Sequence, residues 1–250
     1  MIEPLWKERA VLIKGESSIV VSDIHLGFEL ELLFSGVYIP DQTEKLALRV
    51  SSLGKSTGVR RLVVNGDLKH SIGISSASLE RVNRFIEFVK GQFDEILVIK
   101  GNHDGGITEF SGVRVVDGRG TPLDDVWVFH GHATPPEESS RYKIGLMGHV
   151  HPTIRVRGFP EPVWVLAETT CSGLPPKVLI MPPFNELTGY GILNKLEVKG
   201  PIFPKCVDTE ESYVLDLEGR VLGVLGELIE THKFSWRTPG EKGKPVEGKR

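Results

Sequence analysis

Residues 19–25 read Ile-Val-Val-Ser-Asp-Ile-His, and residues 62–70 read Leu-Val-Val-Asn-Gly-Asp-Leu-Lys-His. In both, a run of aliphatic residues ends abruptly in Asp, Gly and His. The pattern returns at 96–104 (Ile-Leu-Val-Ile-Lys-Gly-Asn-His-Asp), 126–132 (Val-Trp-Val-Phe-His-Gly-His) and 144–151 (Ile-Gly-Leu-Met-Gly-His-Val-His). Apolar runs of this length without polar alternation predict strands covered on both faces. Helical signals fall between them. Asp41, with Glu44 three residues on, makes a capping-box-like start ahead of Leu46, Leu48 and Val50. Ser76 or Ser78 is the expected cap of a second helix, in which Leu79, Val82, Phe85, Ile86 and Val89 recur at spacings of three or four. Strands alternating with helices predict a layered α/β domain.

Around this core the pattern changes. Ala10–Ile13, a Gly-Glu-Ser turn and Ile19–Ser22 read as a hairpin, and beyond residue 160 the strand signals are mostly antiparallel in character. Strands are expected at 163–166 and 178–181, and a hairpin at 213–217 and 221–225 around Glu218-Gly219-Arg220. Residues 159–162 and 182–185, rich in proline, read as rigid loops, the second near the mouth of a site. Trp6, Trp127, Trp164 and Trp236 read as packing residues. The expected organisation is a single domain over 1–235, with its core at 19–151 and a strand-rich part at 160–235. Residues 237–250 hold almost no apolar side chains and read as a disordered tail.

Composition narrows the classes. The 250 residues carry 30 Lys+Arg against 33 Asp+Glu, a net charge of −3, which excludes nucleic-acid binding by bulk basicity. A local basic track stays open, with Arg49, Arg60, Arg61, Lys69, Arg81, Arg84 and Lys90 as its candidates. No apolar run approaches the roughly 20 residues of a membrane span, and the N-terminus lacks the apolar stretch of a signal peptide. Cys171 and Cys206 are too few for a disulfide framework and read as thiols in a reducing cytoplasm, Cys171 as a small buried residue.

Seven of the eight histidines sit in the strand-end clusters; only His232 stands apart. The carboxyl edge of buried strands is where ligands bind in open α/β sheets. Together the clusters offer Asp23, Asp67, the Asn102 carbonyl and several imidazoles, a mixed N/O set without thiolate that suits Mn, Fe, Zn or Ni. So many ligands are easier to use on two ions than on one, with a carboxylate bridging them. Singly, each piece has an ordinary explanation: Asp-x-His and Gly-Asp are common caps and turns, and Gly-Asn-His-Asp can be a turn with positive φ at Gly101. All of them in order, after five separate strands, are not explained by chance.

That ordered set, Asp23-x-His25, Gly66-Asp67-x-x-His70, Gly101-Asn102-His103-Asp104, His130-Gly131 and Gly148-His149-x-His151, resembles the calcineurin-like metallophosphoesterase superfamily over residues 19–151. Ser-Asp-Ile-His-Leu-Gly followed by Gly-Asp-Leu-Lys-His is similar to the branch of SbcD-related archaeal phosphoesterases and ligase- or helicase-associated endonucleases. The resemblance implies an α/β fold of four layers, α-β-β-α, with two mixed sheets flanked by helices. It implies that Asp23, His25 and His151 hold one metal, that Asn102, His130 and His149 hold the other, and that Asp67 bridges them. His103 would face the leaving group with Asp104 orienting its ring, and His70 would be the nuclease branch's additional histidine near the phosphate. His132 is expected as support behind the ligands or as a ligand itself. The ions expected are two divalent cations, manganese first, with iron, zinc and nickel as alternatives.

The implied reaction is phosphodiester hydrolysis through a binuclear centre and a bridging hydroxide, in the manner of a DNA-repair nuclease or phosphodiesterase. Lys69 and Lys100, beside the motifs, are candidate phosphate contacts. Two other readings compete: a phosphodiesterase or phosphatase for nucleotides and small phosphoesters, and a protein-binding scaffold that has lost its metals. The scaffold is disfavoured because no ligand position is missing. The partners expected are a phosphoester substrate, DNA or RNA included, with a DNA-repair protein or a second copy of the chain also open, and no membrane. Residues 160–235 are too few and too strand-like for the capping domain and ATPase-docking region of double-strand-break nucleases, so ATPase-linked end processing is not expected.

Overall fold

The five apolar runs become five strands, placed so that all of their polar ends emerge together. The computed structural model describes residues 1–235, apart from 74, 109–111, 157–158, 190, 196–197 and 199; the expected tail at 237–250 lies outside the described residues. The first half of the chain forms β1 (Ile2–Leu5), β2 (Ala10–Ile13), β3 (Ser18–Val21), β4 (Arg61–Asn65), β5 (Glu95–Ile99) and β6 (Val113–Val116). They make one six-stranded sheet in sequence order. β1, β2 and β3 pair antiparallel, which includes the expected hairpin, while β3 to β6 run parallel. Parallel neighbours need crossovers: helices α1 (Phe28–Phe34) and α2 (Thr43–Thr57) join β3 to β4, and α3 (Ser76–Val89) joins β4 to β5.

The second half adds β7 (Thr121–Leu123), β8 (Val126–Phe129), β9 (Ile144–Met147), β10 (Pro152–Val156), β11 (Phe159–Pro162), β12 (Trp164–Thr169), β13 (Lys177–Ile180), β14 (Gly191–Ile192), β15 (Val207–Leu215), β16 (Val221–Val224) and helix α4 (Leu225–Ser235). Seven strands form a sheet in the order β16-β15-β12-β13-β9-β8-β7, and β11-β10-β14 form a small third sheet. β8, β9 and β13 run parallel, while the other pairs of the large sheet are antiparallel.

Three apolar clusters give the layers. One, including Val20, Val63, Leu97, Val128, Leu146 and Leu179, fills the space between the two large sheets. Another joins the outer face of the first sheet to α2 and α3, and the last joins the outer face of the second to α4. This is the four-layer α-β-β-α arrangement of two mixed sheets. Strands wedged between a helix layer and another sheet must be apolar on both faces, which is why their sequences do not alternate.

α3 is capped by Ser75, one residue before the expected serine, whose hydroxyl accepts from Ser78 N–H at 3.1 Å. Asp41 accepts from Thr43 N–H at 2.8 Å at the start of α2, but Leu48 faces solvent. Residues 159–162, expected as a loop, form strand β11 at the edge of the small sheet. Proline is tolerated there because an edge strand leaves its N–H positions unpaired on one side. Cys171 and Cys206, read as thiols, are joined in a disulfide that ties the loop after β12 to the start of β15. Their separation of 35 residues hides a spatial approach set by the sheet.

Candidate metal centre

Register decides the site. Val21 pairs with Val64, Asn65 with Ile99, and Phe129 with Met147, so the strands of both sheets end level and release their loops at one edge. The loops are then laced together: Asp23 N–H donates to the Gly66 carbonyl at 3.1 Å, His25 N–H to Asp67 at 2.8 Å, and His70 N–H to Leu26 at 3.0 Å. Asn185, buried in the proline-rich loop after β13, donates to the Ile24 carbonyl at 3.0 Å and holds the Asp23–His25 turn from the other side.

This lacing bends the backbone sharply. Asp23, His25, Asp67, His149 and His151 all lie in the left-handed region, with φ of 56°, 46°, 50°, 66° and 47°. Non-glycine residues are uncommon there, and each costs on the order of 1 kcal/mol. Five such residues in one cluster, all candidate ligands, mark a place where side-chain direction matters more than backbone comfort. Two glycines are needed for a related reason. A Cβ on Gly66, which has φ of 81°, would lie 2.1 Å from His130 Nδ1, and one on Gly101 would lie 2.0 Å from Asp67 Oδ1. Gly101 does not have the positive φ considered for it; it is required by the close approach of Asp67.

Two groups of ligand-type atoms result. Asp23, His25 and His151 come together in one, and Asp67, His130 and His149 in the other, each with ligand atoms within 4.8 Å of one another. Asp67 Oδ2 lies 3.2 Å from His130 Nε2 and 3.6 Å from His25 Nε2, so its carboxylate reaches both groups. Asp23 Oδ1 lies 3.1 Å from His151 Nε2 and 3.9 Å from His130 Nε2. A third trio, His25, His70 and His103, stands beside them. Asn102 is exposed on the turn after β5, next to His103, whose N–H donates to Asp67 Oδ1 at 2.9 Å.

The residues fit divalent cations on three counts. His130 Nδ1 donates to the Asn65 carbonyl at 2.9 Å and His151 Nδ1 to the Gly189 carbonyl at 3.0 Å. A carbonyl can only accept, so the Nε2 atoms point inward, as second-partner hydrogen bonds arrange for metal-bound histidines. His130 Nε2 is buried with the Asp67 carboxylate 3.2 Å away but not aligned as a hydrogen bond, which leaves it turned toward the ligand cluster. The donors are oxygen and nitrogen alone, suited to Mn, Fe, Zn or Ni.

Charge agrees with this. Burial pushes the Asp67 carboxyl up, but the close His130 and His25 charges outweigh it and hold it below the usual range. Burial likewise pushes the Asp23 carboxyl up, but the His151 and His130 charges overcome it and depress Asp23 to about 2. Burial lowers His25 to about 3, and burial with the His130 charge lowers His149 to about 4. Burial alone would lower His130 too, but Asp67 and Asp23 raise it to about 9. The cluster thus holds two carboxylates, neutral imidazoles at His25 and His149, and a displaceable proton on His130.

Other expectations need correction. Asp104 does not orient the His103 ring. Its carboxylate is buried and accepts from Gly101 N–H at 2.8 Å and Lys69 N–H at 3.2 Å, and burial with the nearby Asp67 charge raises its pKa to about 6. His103 is instead fixed by donating Nδ1–H to the His70 carbonyl. Lys69 is not a phosphate contact: it is completely buried, and its ammonium donates to the carbonyls of Ser71 and His103, with Gly73 and Ile72 at 3.3 and 3.4 Å. Lys100 is half-buried in the loop after β5. His70 stacks on His103 at 5.5 Å, packs edge-on to Phe28, and meets Glu31 through Nε2 at 2.5 Å. His132 stands behind His130 and His149, at ring separations of 5.4 and 6.1 Å, with Nδ1 buried and unpaired.

The cations that were candidates for a local basic track, Lys69 aside, are ion-paired with carboxylates. Arg60 meets Asp94, Arg61 meets Glu16 and Glu95, Arg81 meets Glu29 and Asp41, Arg84 meets Asp41 and Glu44, Lys90 meets Glu87, and Arg49 meets Glu186. Glu31, Lys69 and Asn185 are residues around the site that sequence reasoning missed or misassigned. The signals available were the position of Lys69 inside the Gly66–His70 motif and that of Asn185 in the proline-rich loop expected near the site mouth.

Comparison with known proteins follows the same line. The sequence profile described as calcineurin-like phosphoesterase matches residues 18–161. No curated protein sequence matches the chain. Among solved structures, the nuclease MPE of Pseudomonas putida is similar in fold, with a TM-score of 0.55 at 23% identity, over 86% of this chain and 91% of that one.

Proposed function

The chain belongs to the calcineurin-like phosphoesterase family and is a hydrolase of phosphoester bonds, and from that premise we propose that it cleaves phosphodiesters at a binuclear centre as a nuclease or nucleotide phosphodiesterase. The observation that carries this reading is the Asp67 carboxylate, 3.2 Å from His130 and 3.6 Å from His25, at the junction of two ligand groups. Asp23, His25 and His151 would hold one cation, His130, His149 and the Asn102 carbonyl the other, and Asp67 both. Two divalent cations held there would supply a hydroxide nucleophile near neutral pH and would neutralise charge on the non-bridging phosphate oxygens.

The chain's own residues then act on the substrate. Because His103 Nδ1–H is held by the His70 carbonyl, Nε2 is the nitrogen that faces the substrate. As the new P–O bond forms, the bond from phosphorus to the leaving oxygen breaks, and His103, acting as the imidazolium, gives that oxygen its Nε2 proton and is left as the neutral ring with Nδ1–H on the His70 carbonyl, a contribution of about 10²–10⁴ in rate. His70, stacked on His103 and held by Glu31, supports that ring and borders the phosphate.

The name of the similar Pseudomonas putida protein favours a nucleic-acid substrate. The pairing of the candidate basic residues with carboxylates favours a small or single-ended one, since a duplex track needs unpaired cations. The test is to strip the protein, reload it with Mn, Fe, Zn or Ni, and assay bis-p-nitrophenyl phosphate and single-stranded DNA, with anomalous diffraction to count ions. Absence of turnover with every metal, or a single ion at full activity, would contradict the proposal.

A further inference from the structure

Beside the histidines lies a cavity of about 500 Å³, with His70 and His103 on its inner wall. Its volume is in the range of small-molecule sites. Leu30, Glu31 and Phe34 of α1 line it, together with Ile72 and the Ser71 and Ser78 hydroxyls. Phe34 is 90% exposed and Ile72 69%, an unusual display of large apolar side chains at the rim of a polar centre. Neither wall is loosely attached. The Ile72 loop is held by the buried Lys69 ammonium, and α1 by ion pairs from Glu29 to Arg81 and Glu31 to His70. At the floor, Ser78 Oγ lies 2.6 Å from Ser71 Oγ and 2.8 Å from Ser75 Oγ, three hydroxyls that can turn to donate or accept.

We propose that this cavity takes the nucleobase of the departing nucleoside, so that the substrate is recognised by one aromatic group on its leaving side rather than along a charged strand. The inference rests on the phosphodiesterase reading above. The argument for side is geometric. A proton donor must lie within hydrogen-bond reach of the leaving oxygen, and His103 forms both the donor and the cavity wall. Whatever carries that oxygen therefore continues into the space beyond His103. The argument for chemistry is the lining: apart from the Glu31 carboxylate, which is taken up by His70, the aliphatic and aromatic walls suit the face of a base, and rotatable hydroxyls suit the edge of any base without selecting one. The argument against a strand-length contact is that the candidate cations are already paired with carboxylates.

The experiment uses the metal-loaded full chain and four dinucleotides: thymidylyl-thymidine, its two forms with one thymine replaced by an abasic tetrahydrofuran, and the form with both replaced. The products identify which nucleoside leaves. Removing the base from the leaving side is expected to lower kcat/KM at least tenfold, since a stacked base contributes about 1–3 kcal/mol. Removing it from the side that keeps the phosphate is expected to change kcat/KM less than threefold. Leu30→Trp, which fills the cavity, and Phe34→Ala at its rim are each expected to reduce that leaving-side preference, each variant serving as its own reference. The exposure of Phe34 makes a folding defect there no concern. Equal rates for the two singly abasic substrates, or full preference in both variants, would overturn the inference while leaving turnover measurable. Failure of the loaded protein to hydrolyse any diester, aryl diesters included, would instead overturn the phosphodiesterase reading, and this one with it.

Discussion

Replacing Lys69 by methionine keeps the length of an unbranched side chain and removes its ammonium. In the native fold that ammonium is wholly buried and donates to the Ser71 and His103 carbonyls, with Gly73 and Ile72 at longer range. Hydrogen bonds from a charged donor contribute about 1.5–3 kcal/mol each, so the two close ones account for roughly 3–6 kcal/mol. Methionine avoids the cost of burying an ammonium, itself several kcal/mol, but leaves carbonyls without a donor at about 1–3 kcal/mol each. The net expectation is a loss of about 3 kcal/mol, or about 6–12 °C in Tm for a chain of this size. The effect on activity is larger than stability alone would give. The same ammonium joins the 71–73 loop to the His103 backbone, and a shift of about 1 Å in a catalytic group costs about 10²-fold. We expect kcat to fall about a hundredfold with a smaller change in KM, and Lys69→Arg not to rescue it, because a guanidinium does not fit a pocket shaped for an ammonium. Urea unfolding of the metal-free protein and steady-state kinetics of the loaded one measure both. If Lys69→Met unfolds within 1 kcal/mol of wild type and keeps kcat within threefold, the clamp reasoning is wrong. A raised KM with a salt slope shallower by about one and unchanged stability would show a phosphate contact instead.

Four further outcomes are expected. In the metal-free protein His130 has its pKa raised from 6.5 to about 9 by Asp67 and Asp23; its stabilising contribution is therefore complete below pH 6.5 and lost as pH rises through 9, at most roughly 3 kcal/mol. Loading cations at pH 7.5 should accordingly release about one proton per chain from that ring, and titration heats that do not vary with buffer ionisation enthalpy would refute this. Asp67→Asn, which tolerates the left-handed φ of 50°, should lose metal content and activity together, whereas His103→Ala should lose about 10²–10⁴ in rate and keep its metals; unchanged turnover in both would place the site elsewhere. Gly101→Ala, whose Cβ would lie 2.0 Å from Asp67 Oδ1, should lower metal content by elemental analysis, and a normal value would show that Asp67 can move freely. Replacing Cys171 and Cys206 by serine should cost about 4 kcal/mol, given the 35-residue separation; an unfolding midpoint insensitive to reductant would argue that the bond does not form.

The layers were legible because burial on both faces leaves a direct mark. Ile19–Val21, Leu62–Val64 and Ile96–Ile99 are apolar without alternation, which only strands covered on both sides permit. Helix α1 was not read, because Leu30, Leu33 and Phe34 are apolar without a buried face to set a period; Leu33 and Phe34 are exposed. The edge strand at 159–162 was hidden by its prolines, which sequence rules count against strands and an edge position allows. The ligand-type residues could be singled out because Asp and His recur in order at five strand ends, a pattern that resembles a known family; that the ends of two separate sheets meet at one edge follows from their register and stacking, which no local stretch of sequence shows.

What the sequence by itself determined was the identity of the chemistry-bearing atoms, since residue type and strand-end position are local properties. What only the tertiary structure decided was which neighbour each of them meets. Asp104 turned inward to the Gly101 and Lys69 amides, Lys69 turned to carbonyls, Glu31 came to His70 from a helix, and seven candidate cations found carboxylates or carbonyls. Such pairings join residues far apart in the chain, and for a buried charge they are settled by the cost of leaving it unpaired, which depends on every group that packs around it.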